Sequence, residues 1–379
     1  MTLREKIIHE IRECGFIPFS RYMELCLYDP ELGYYSRHAD QFGKAGDFYT
    51  SSDVHAVFGR LLARQFEEMW RLLGSPARIE ILELGPGRGL FAQDVLDWSQ
   101  KKFPEFFAAM HYSLVERSPA LRERLKNSLH EHFVTGKASL AAFPSRNNGQ
   151  SEPPAPIIIF ANEFFDALPV EVLSSAGKLR VGENDGHLIE NWSAATAEEL
   201  CFLDRYAVHP ENHERIEVPL TSQGYMAEAA ASVDIGFIVA IDYGYTRDEL
   251  LAGRHRGTIT AYRQRSVSAN PYEAPGEQDI TAHVNFTALA HVAEQQGMQI
   301  HPLLTQSQFL LGIGEHNQFA DAFEECRVPQ ERAKVALQLK HLVTPAGMGE
   351  TFQVLIASKG MQREKVSALS GLSFARTRS

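Results

Sequence analysis

The stretch that most constrains this chain is Ile79-Glu80-Ile81-Leu82-Glu83-Leu84-Gly85-Pro86-Gly87-Arg88-Gly89-Leu90. A short aliphatic run is followed at once by three glycines at alternate positions. Such a run predicts a strand buried on both faces, as in a parallel sheet. Glycines permit a tight turn and let backbone N–H groups approach a ligand closely. Beyond them, Leu90-Phe91-Ala92-Gln93-Asp94-Val95-Leu96 carries apolar residues at helical spacing. Strand, glycine turn and helix together open a nucleotide-type site at the carboxyl end of the first strand of a doubly wound sheet. The fold class is therefore read as α/β, with a Rossmann-like, mostly parallel sheet.

Two cofactor classes use this geometry, and the spacing separates them. A dinucleotide fingerprint, Gly-x-Gly-x-x-Gly/Ala, would place Leu90 where a small residue must let helix and strand pack closely. The spacing present, Glu83-x-Gly85-x-Gly87-x-Gly89, instead resembles motif I of class I S-adenosylmethionine-dependent methyltransferases. There the turn makes room for the aminoacyl end and sugar of the cofactor. A glycine triplet alone also fits a surface turn. The strand before it and the helix after it favour the binding reading.

The chain has 379 residues, long for one domain, and its formal charge of −11 argues against broad binding to nucleic-acid phosphates. The four cysteines, Cys14, Cys26, Cys201 and Cys326, form no Cys-x-x-Cys pair, which argues against a zinc site or a disulfide framework. No His-Glu-x-x-His or similar ligand pair occurs, so no metal is expected. Met1 to Lys6 runs into charged helical sequence without an apolar signal core, and no apolar run reaches membrane length. The expectation is a cytoplasmic protein without membrane insertion.

Taken in order, residues 3–28 predict two helices broken at Pro18, followed by the aromatic turn Asp29-Pro30-Glu31-Leu32-Gly33-Tyr34-Tyr35. These aromatics are expected to pack an N-terminal helical cap over residues 1–75. Residues 46–53 precede a long amphipathic helix at roughly 54–73. Ser52 or Asp53 would cap that helix; alternatively the segment folds over a cofactor, with Asp47, Thr50 and Ser51 offering polar contacts. A second strand ends in Glu116, 33 positions after Glu83, and an acid there can accept hydrogen bonds from both ribose hydroxyls. Ile157-Ile158-Ile159-Phe160 reads as the fourth strand. Its carboxyl end carries Asn162, Glu163 and Asp166 beside Phe164 and Phe165, a candidate acceptor pocket. The core is expected over 76–360, with insertions at about 168–236 and 305–345. The first insertion alternates like an antiparallel excursion. Residues 236–245, 257–263 and 349–358 read as strands. Asp279 is expected to open a helix running to about Gln296, with His283 as a candidate site residue, and residues from about 315 to 343 to be helical. The Ser/Arg/Lys-rich segment 361–379 is expected to be a flexible tail.

These segments resemble the MidA-like methyltransferases, the family that contains the mitochondrial complex I assembly-factor arginine methyltransferase. The resemblance is carried by Gly33-Tyr34-Tyr35, Gly46-Asp47-Phe48-Tyr49-Thr50-Ser51, the glycine motif, Asn162-Glu163-Phe164-Phe165-Asp166-Ala167-Leu168-Pro169, Ile241-Asp242-Tyr243-Gly244-Tyr245 and Asp279-Ile280-Thr281-Ala282-His283-Val284. They are collinear over roughly residues 20–357. Tyr49, Ser52, Leu90 and Phe91 depart from the commonest pattern without removing a polar contact. The resemblance implies S-adenosyl-L-methionine as methyl donor and, for the mitochondrial members, symmetric dimethylation of an arginine on a complex I subunit. A protein substrate, possibly such a subunit, is the implied partner.

On this reading the cofactor contacts are Asp47, Thr50, Ser51, Glu83, Gly85, Pro86, Gly87, Gly89, Glu116 and Asn162. A guanidinium is cationic and a poor nucleophile. Carboxylates grip it in bidentate fashion and offset its charge, so Glu163 and Asp166 are the expected catalytic pair, with His283 as helper. The competing reading is a cofactor-binding assembly factor or scaffold that rarely turns over.

Overall fold

The computed structural model describes residues 1–37, 56–144, 155–251, 257–263, 266–268 and 270–378. The glycine-bounded strand Ile79–Leu84 (β1) lies inside a mixed sheet. Met110–Val115 (β2) and Ala138–Leu140 (β3) extend the sheet on one side. Ile157–Asn162 (β4), Gly236–Tyr245 (β5) and Phe352–Lys359 (β6) extend it on the other. The order is β3-β2-β1-β4-β5-β6, with neighbours parallel except β6, which runs antiparallel to β5. The strand order therefore reverses between β1 and β4, where an open α/β sheet leaves a crevice at its carboxyl ends. Leu84 is registered with Ala161, so Gly85 and Asn162 leave the sheet side by side.

The aliphatic run of β4 is buried because both its faces are covered. Ile158 and Phe160 point into a layer that includes Phe58, Phe66 and Phe91 from helices Ala56–Leu72 and Leu90–Lys102. Ile159 and Ala161 point the other way, toward Met226, Phe286 and Leu289 of helices Leu220–Ser232 and Phe286–Gln295. Side chains alternate across a strand, so a continuous apolar run serves two layers at once. Phe91 stacks on Phe160 at 4.4 Å between ring centroids, which seats the helix that follows the glycines.

Helices Leu3–Cys14 and Phe19–Tyr28 flank Pro18, and Ile17–Pro18 pairs with strand Gly177–Asn184. That strand belongs to an antiparallel sheet with Glu171–Ser174, His187–Ser193 and Ile216–Val218. Phe19, Tyr22, Leu179 and Val181 share one apolar cluster, so the N-terminal helices and this excursion make a single layer. No described helix is long and apolar enough to cross a membrane.

Two expectations require correction. Asp279 does not open a helix. Asp279–Thr281 is a strand paired with Thr260–Arg263, and the helix starts at Phe286, where Asn285 accepts the Ala288 N–H at 3.0 Å. Cross-strand pairing and an N-cap six residues downstream override the local apolar spacing. The region from about 315 to 343 is helical as expected, as Ala320–Phe323 and Pro329–Val343, with Gln318 and Phe319 in left-handed backbone separating it from Gln306–Glu315.

The segment after 360 is not a loose tail. Val366, Leu369 and Leu372 are buried. Ser370 N and Oγ donate to Glu68 Oε2 at 3.0 and 2.8 Å, and Gly371 N donates to Gln65 Oε1 at 2.9 Å. Three apolar anchors spaced among polar residues suffice to dock it on the helix Ala56–Leu72. Leu372→Ala is expected to destabilise the protein by about 2–5 kcal/mol in urea unfolding, the usual range for a buried leucine; an unchanged midpoint would mean that the segment is not anchored.

Candidate active site

Gly85, Gly87 and Gly89 all hold left-handed backbone, with φ of 64°, 53° and 78°. A side chain at any of them would be strained. They differ in what surrounds them. A Cβ on Gly85 would stand 2.9 Å from the Phe164 ring, and one on Gly89 would stand 2.7 Å from Leu125. A Cβ on Gly87 would meet nothing within 4 Å. Gly85 and Gly89 thus shape the turn and its packing, while Gly87 faces open space. That space is a cavity of about 870 Å³ at the crevice, walled by the glycine turn, the ends of β1, β2 and β4, and the N-terminal layer.

Two acids stand on the core side of this cavity. Glu83, at the end of β1, accepts a hydrogen bond from the Tyr112 hydroxyl at 2.9 Å, and burial pushes its carboxyl up to about 8. Glu116 lies one residue past β2. Its Oε1 accepts the Ser118 N–H at 2.8 Å, Arg122 Nε donates to its carbonyl, and burial pushes the carboxyl up to about 7. Asn162 closes this side. Its Nδ2 donates to Glu163 Oε1 at 3.1 Å, and its buried Oδ1 has no hydrogen-bond partner among the described residues. An open acceptor beside a glycine that leaves room is a fitting place for a ligand carrying N–H donors.

Glu163 sits at φ 50°, a left-handed conformation unusual for a residue with a side chain and costing roughly 1–3 kcal/mol. Its N–H donates to the Ile241 carbonyl at 2.9 Å. The turn is held from behind by Asp242 of β5, which is completely buried. Asp242 Oδ2 accepts the N–H groups of Phe165 and Asp166 at 3.0 and 3.3 Å, and its Oδ1 accepts that of Tyr243 at 3.0 Å. Burial raises the Asp242 carboxyl well above the usual range, and repulsion from Asp166 and Glu163 raises it further. Asp166 is also raised by burial, while the neighbouring Tyr243 hydroxyl draws it down. Glu163 and Asp166 both line the cavity, and Asp166 lies near Tyr28 of the N-terminal layer.

Of the residues expected at the site, Glu83, Gly85, Pro86, Gly87, Glu116, Asn162, Glu163 and Asp166 line this one cavity, and Gly89 completes the turn behind it. His283 does not reach the cavity wall. Its ring packs edge-on against Tyr243 at 5.2 Å, and its N–H donates to Thr258 Oγ1 at 3.0 Å. Asp47, Thr50 and Ser51 fall outside the described residues. Sequence reasoning missed Tyr28, Tyr35, Tyr225 and Asp279, which also line the cavity. Tyr35 and Asp279 sat inside motifs already singled out, but nothing local showed that they meet.

A doubly wound sheet in which Phe352–Lys359 runs antiparallel to its parallel neighbours, a glycine turn at its switch point and an acid closing the second strand define a class I methyltransferase. The chain belongs to the family of S-adenosyl-L-methionine-dependent methyltransferases whose pattern matches residues 61–304. It is 29% identical to the Drosophila melanogaster protein arginine methyltransferase NDUFAF7 homolog, mitochondrial, over 95% of this chain and 85% of that one. It is 25% identical to Homo sapiens protein arginine methyltransferase NDUFAF7, mitochondrial, over 91% of this chain and 81% of that one. A crystal structure from Burkholderia thailandensis bound to S-adenosyl-homocysteine matches with a TM-score of 0.82 and 27% identity, over 98% of this chain and 94% of that one. The Rossmann-like, mostly parallel sheet thus meets its sequence expectation, and so does the choice of a sulfonium cofactor over a dinucleotide.

A ligand whose hydroxyls donate to Glu116 selects its ionised form. Because burial raises this carboxyl to about 7, binding should release a proton below that pH. The affinity for S-adenosyl-homocysteine is therefore expected to rise from pH 6 and level off above about 7. Calorimetry across this range checks it, with Glu116→Gln flattening the slope; a wild-type affinity independent of pH would remove Glu116 from the contact.

Proposed function

We propose that this chain methylates an arginine side chain of a protein substrate. The observation that carries the reading is the placing of Glu163 and Asp166 on the wall of the same cavity that the glycine turn opens. The names of the relatives as protein arginine methyltransferases support it. By the family resemblance, the product is symmetric dimethylarginine and the substrate a subunit of respiratory complex I.

Glu83, Gly85, Pro86, Gly87, Gly89, Glu116 and Asn162 hold the cofactor on this reading, with Asp47, Thr50 and Ser51 assigned to it from sequence alone. S-adenosylmethionine supplies, when bound, an electrophilic methyl group on a sulfonium. The protein has little covalent chemistry to do. Its work is to hold the acceptor nitrogen near attack distance and angle, which is worth up to about 7–11 kcal/mol of the barrier. Glu163 and Asp166 receive the guanidinium N–H groups in paired hydrogen bonds. Asn162 Nδ2 fixes the Glu163 carboxylate, and the left-handed backbone at Glu163 turns that side chain toward the crevice. The proton lost by the reacting nitrogen passes to one of these two carboxylates. Burial favours that transfer at Asp166, because it raises the proton affinity of the carboxyl. His283 acts through Tyr243, which it backs, and is a positioning residue rather than a contact.

Methyl transfer to an arginine-containing substrate, followed by mass spectrometry, tests the reading. Glu163→Gln is expected to keep the affinity for S-adenosyl-homocysteine within about twofold and to lose turnover by roughly 10²–10⁴-fold. Unchanged turnover would exclude Glu163 from the chemistry. Cofactor binding without any transfer by the wild type would favour a scaffold instead.

A further inference from the structure

The part of the cavity wall beside Asp166 comes from segments far apart in the chain. Tyr28 ends the helix Phe19–Tyr28, and its hydroxyl donates to the Ala167 carbonyl at 2.9 Å. Tyr35 lies in the short helix Tyr34–Arg37 that follows, and its hydroxyl donates to Asp279 Oδ1 at 2.8 Å. The two tyrosine rings lie 5.4 Å apart at 38°. Asp279 starts the strand Asp279–Thr281, and one residue past that strand Ala282 N donates to the Asp166 carbonyl at 2.9 Å. The N-terminal helices are thereby tied to both the 163–168 turn and the 279–282 segment. Asp166 and Asp279 are 3% and 6% exposed, and with both tyrosines they line the one cavity. Tyr28 and Tyr35 lie before residue 61, outside the stretch that matches the methyltransferase family.

We propose that Tyr35 and Asp279, with the Tyr28 ring beside them, are the specificity wall of the acceptor pocket and select a cationic side chain entering against Asp166. This rests on the methyltransferase reading, since it takes the same cavity as the acceptor's seat. Aromatic faces attract cations, and a planar guanidinium both stacks on a ring and pairs with a carboxylate. A buried carboxylate opposite a neutral side chain would lose its hydration without an opposing charge. The Tyr35 hydroxyl holds the Asp279 carboxylate in one orientation, so the pair acts as a unit. Cofactor binding is the task of the core, and acceptor choice the task of the N-terminal layer.

The test is binding, which does not require turnover. A short glycine-flanked peptide with one arginine is titrated into the full chain saturated with S-adenosyl-homocysteine, beside the same peptide carrying citrulline, its neutral near-isostere. The wild type is expected to prefer arginine by about tenfold or more, the scale of one hydrogen bond to a charged group. Tyr35→Phe and Asp279→Asn should each lose most of this preference while keeping the affinity for S-adenosyl-homocysteine. Tyr35→Phe removes a single oxygen, so it reports even where Asp279→Asn folds poorly. Equal binding of the two peptides by the wild type, or full preference in Tyr35→Phe, overturns the proposal. Arginine preference without methyl transfer would sink the enzymatic reading and leave the wall standing.

Discussion

Asp242 is a fully buried acid with three backbone N–H groups on its oxygens. Much of the site depends on this arrangement. Burying a carboxyl is unfavourable unless its lone pairs are used, and here the turn after β4 uses them. Phe165 and Asp166 are drawn onto β5, and Glu163 is left to absorb the change of direction in a left-handed conformation. The strain at Glu163 and the burial of Asp242 are two sides of one device, which presents two further carboxyl groups to the crevice at fixed positions. Burial raises both the Asp242 and the Asp166 carboxyls, and repulsion from Asp166 and Glu163 raises Asp242 further, so this end of the cavity is suited to receive a positive charge or a proton.

The cavity joins two kinds of structure. Its floor belongs to the doubly wound sheet and needs only β1, β2 and β4 with the turns that follow them. Its far wall belongs to the N-terminal helices, which pack on the antiparallel excursion through Phe19, Tyr22, Leu179 and Val181. Glu217 ties the excursion to the 257–259 segment. Buried at its edge, it accepts the Thr258 N–H at 2.7 Å and the Ile259 N–H at 3.3 Å. Thr258 Oγ1 in turn receives the His283 N–H. The N-terminal helices and the 279–282 segment thus share the cavity wall with the strand ends of the doubly wound sheet.

How much was legible in the sequence follows from how local each feature is. The aliphatic runs of β1 and β4, the glycine spacing and Glu116 at a strand end are readable because strand period, turn and strand end are properties of a few consecutive residues. Asp242 was visible as a polar strand end, but its use as a peg for the neighbouring turn was not. The segment 279–281 looked helical because Ile280 and Val284 are four apart, and pairing with Thr260–Arg263 decided otherwise. The closing segment looked loose because Val366, Leu369 and Leu372 are diluted by polar neighbours, and only the groove against Gln65 and Glu68 gives them a place. His283 sat in a family-like motif, yet packing turned it toward Tyr243 rather than the cavity.

By itself, then, the sequence determined a doubly wound sheet, the strand ends where its ligands collect and a sulfonium rather than a dinucleotide cofactor. Each of these is written in short-range spacing. Only the tertiary structure decided which distant residues complete the cavity wall. Tyr35 and Asp279 are 244 positions apart and meet through one hydrogen bond. Such a contact is set by how separate layers pack, because no local pattern encodes the distance between two side chains that the chain itself does not join.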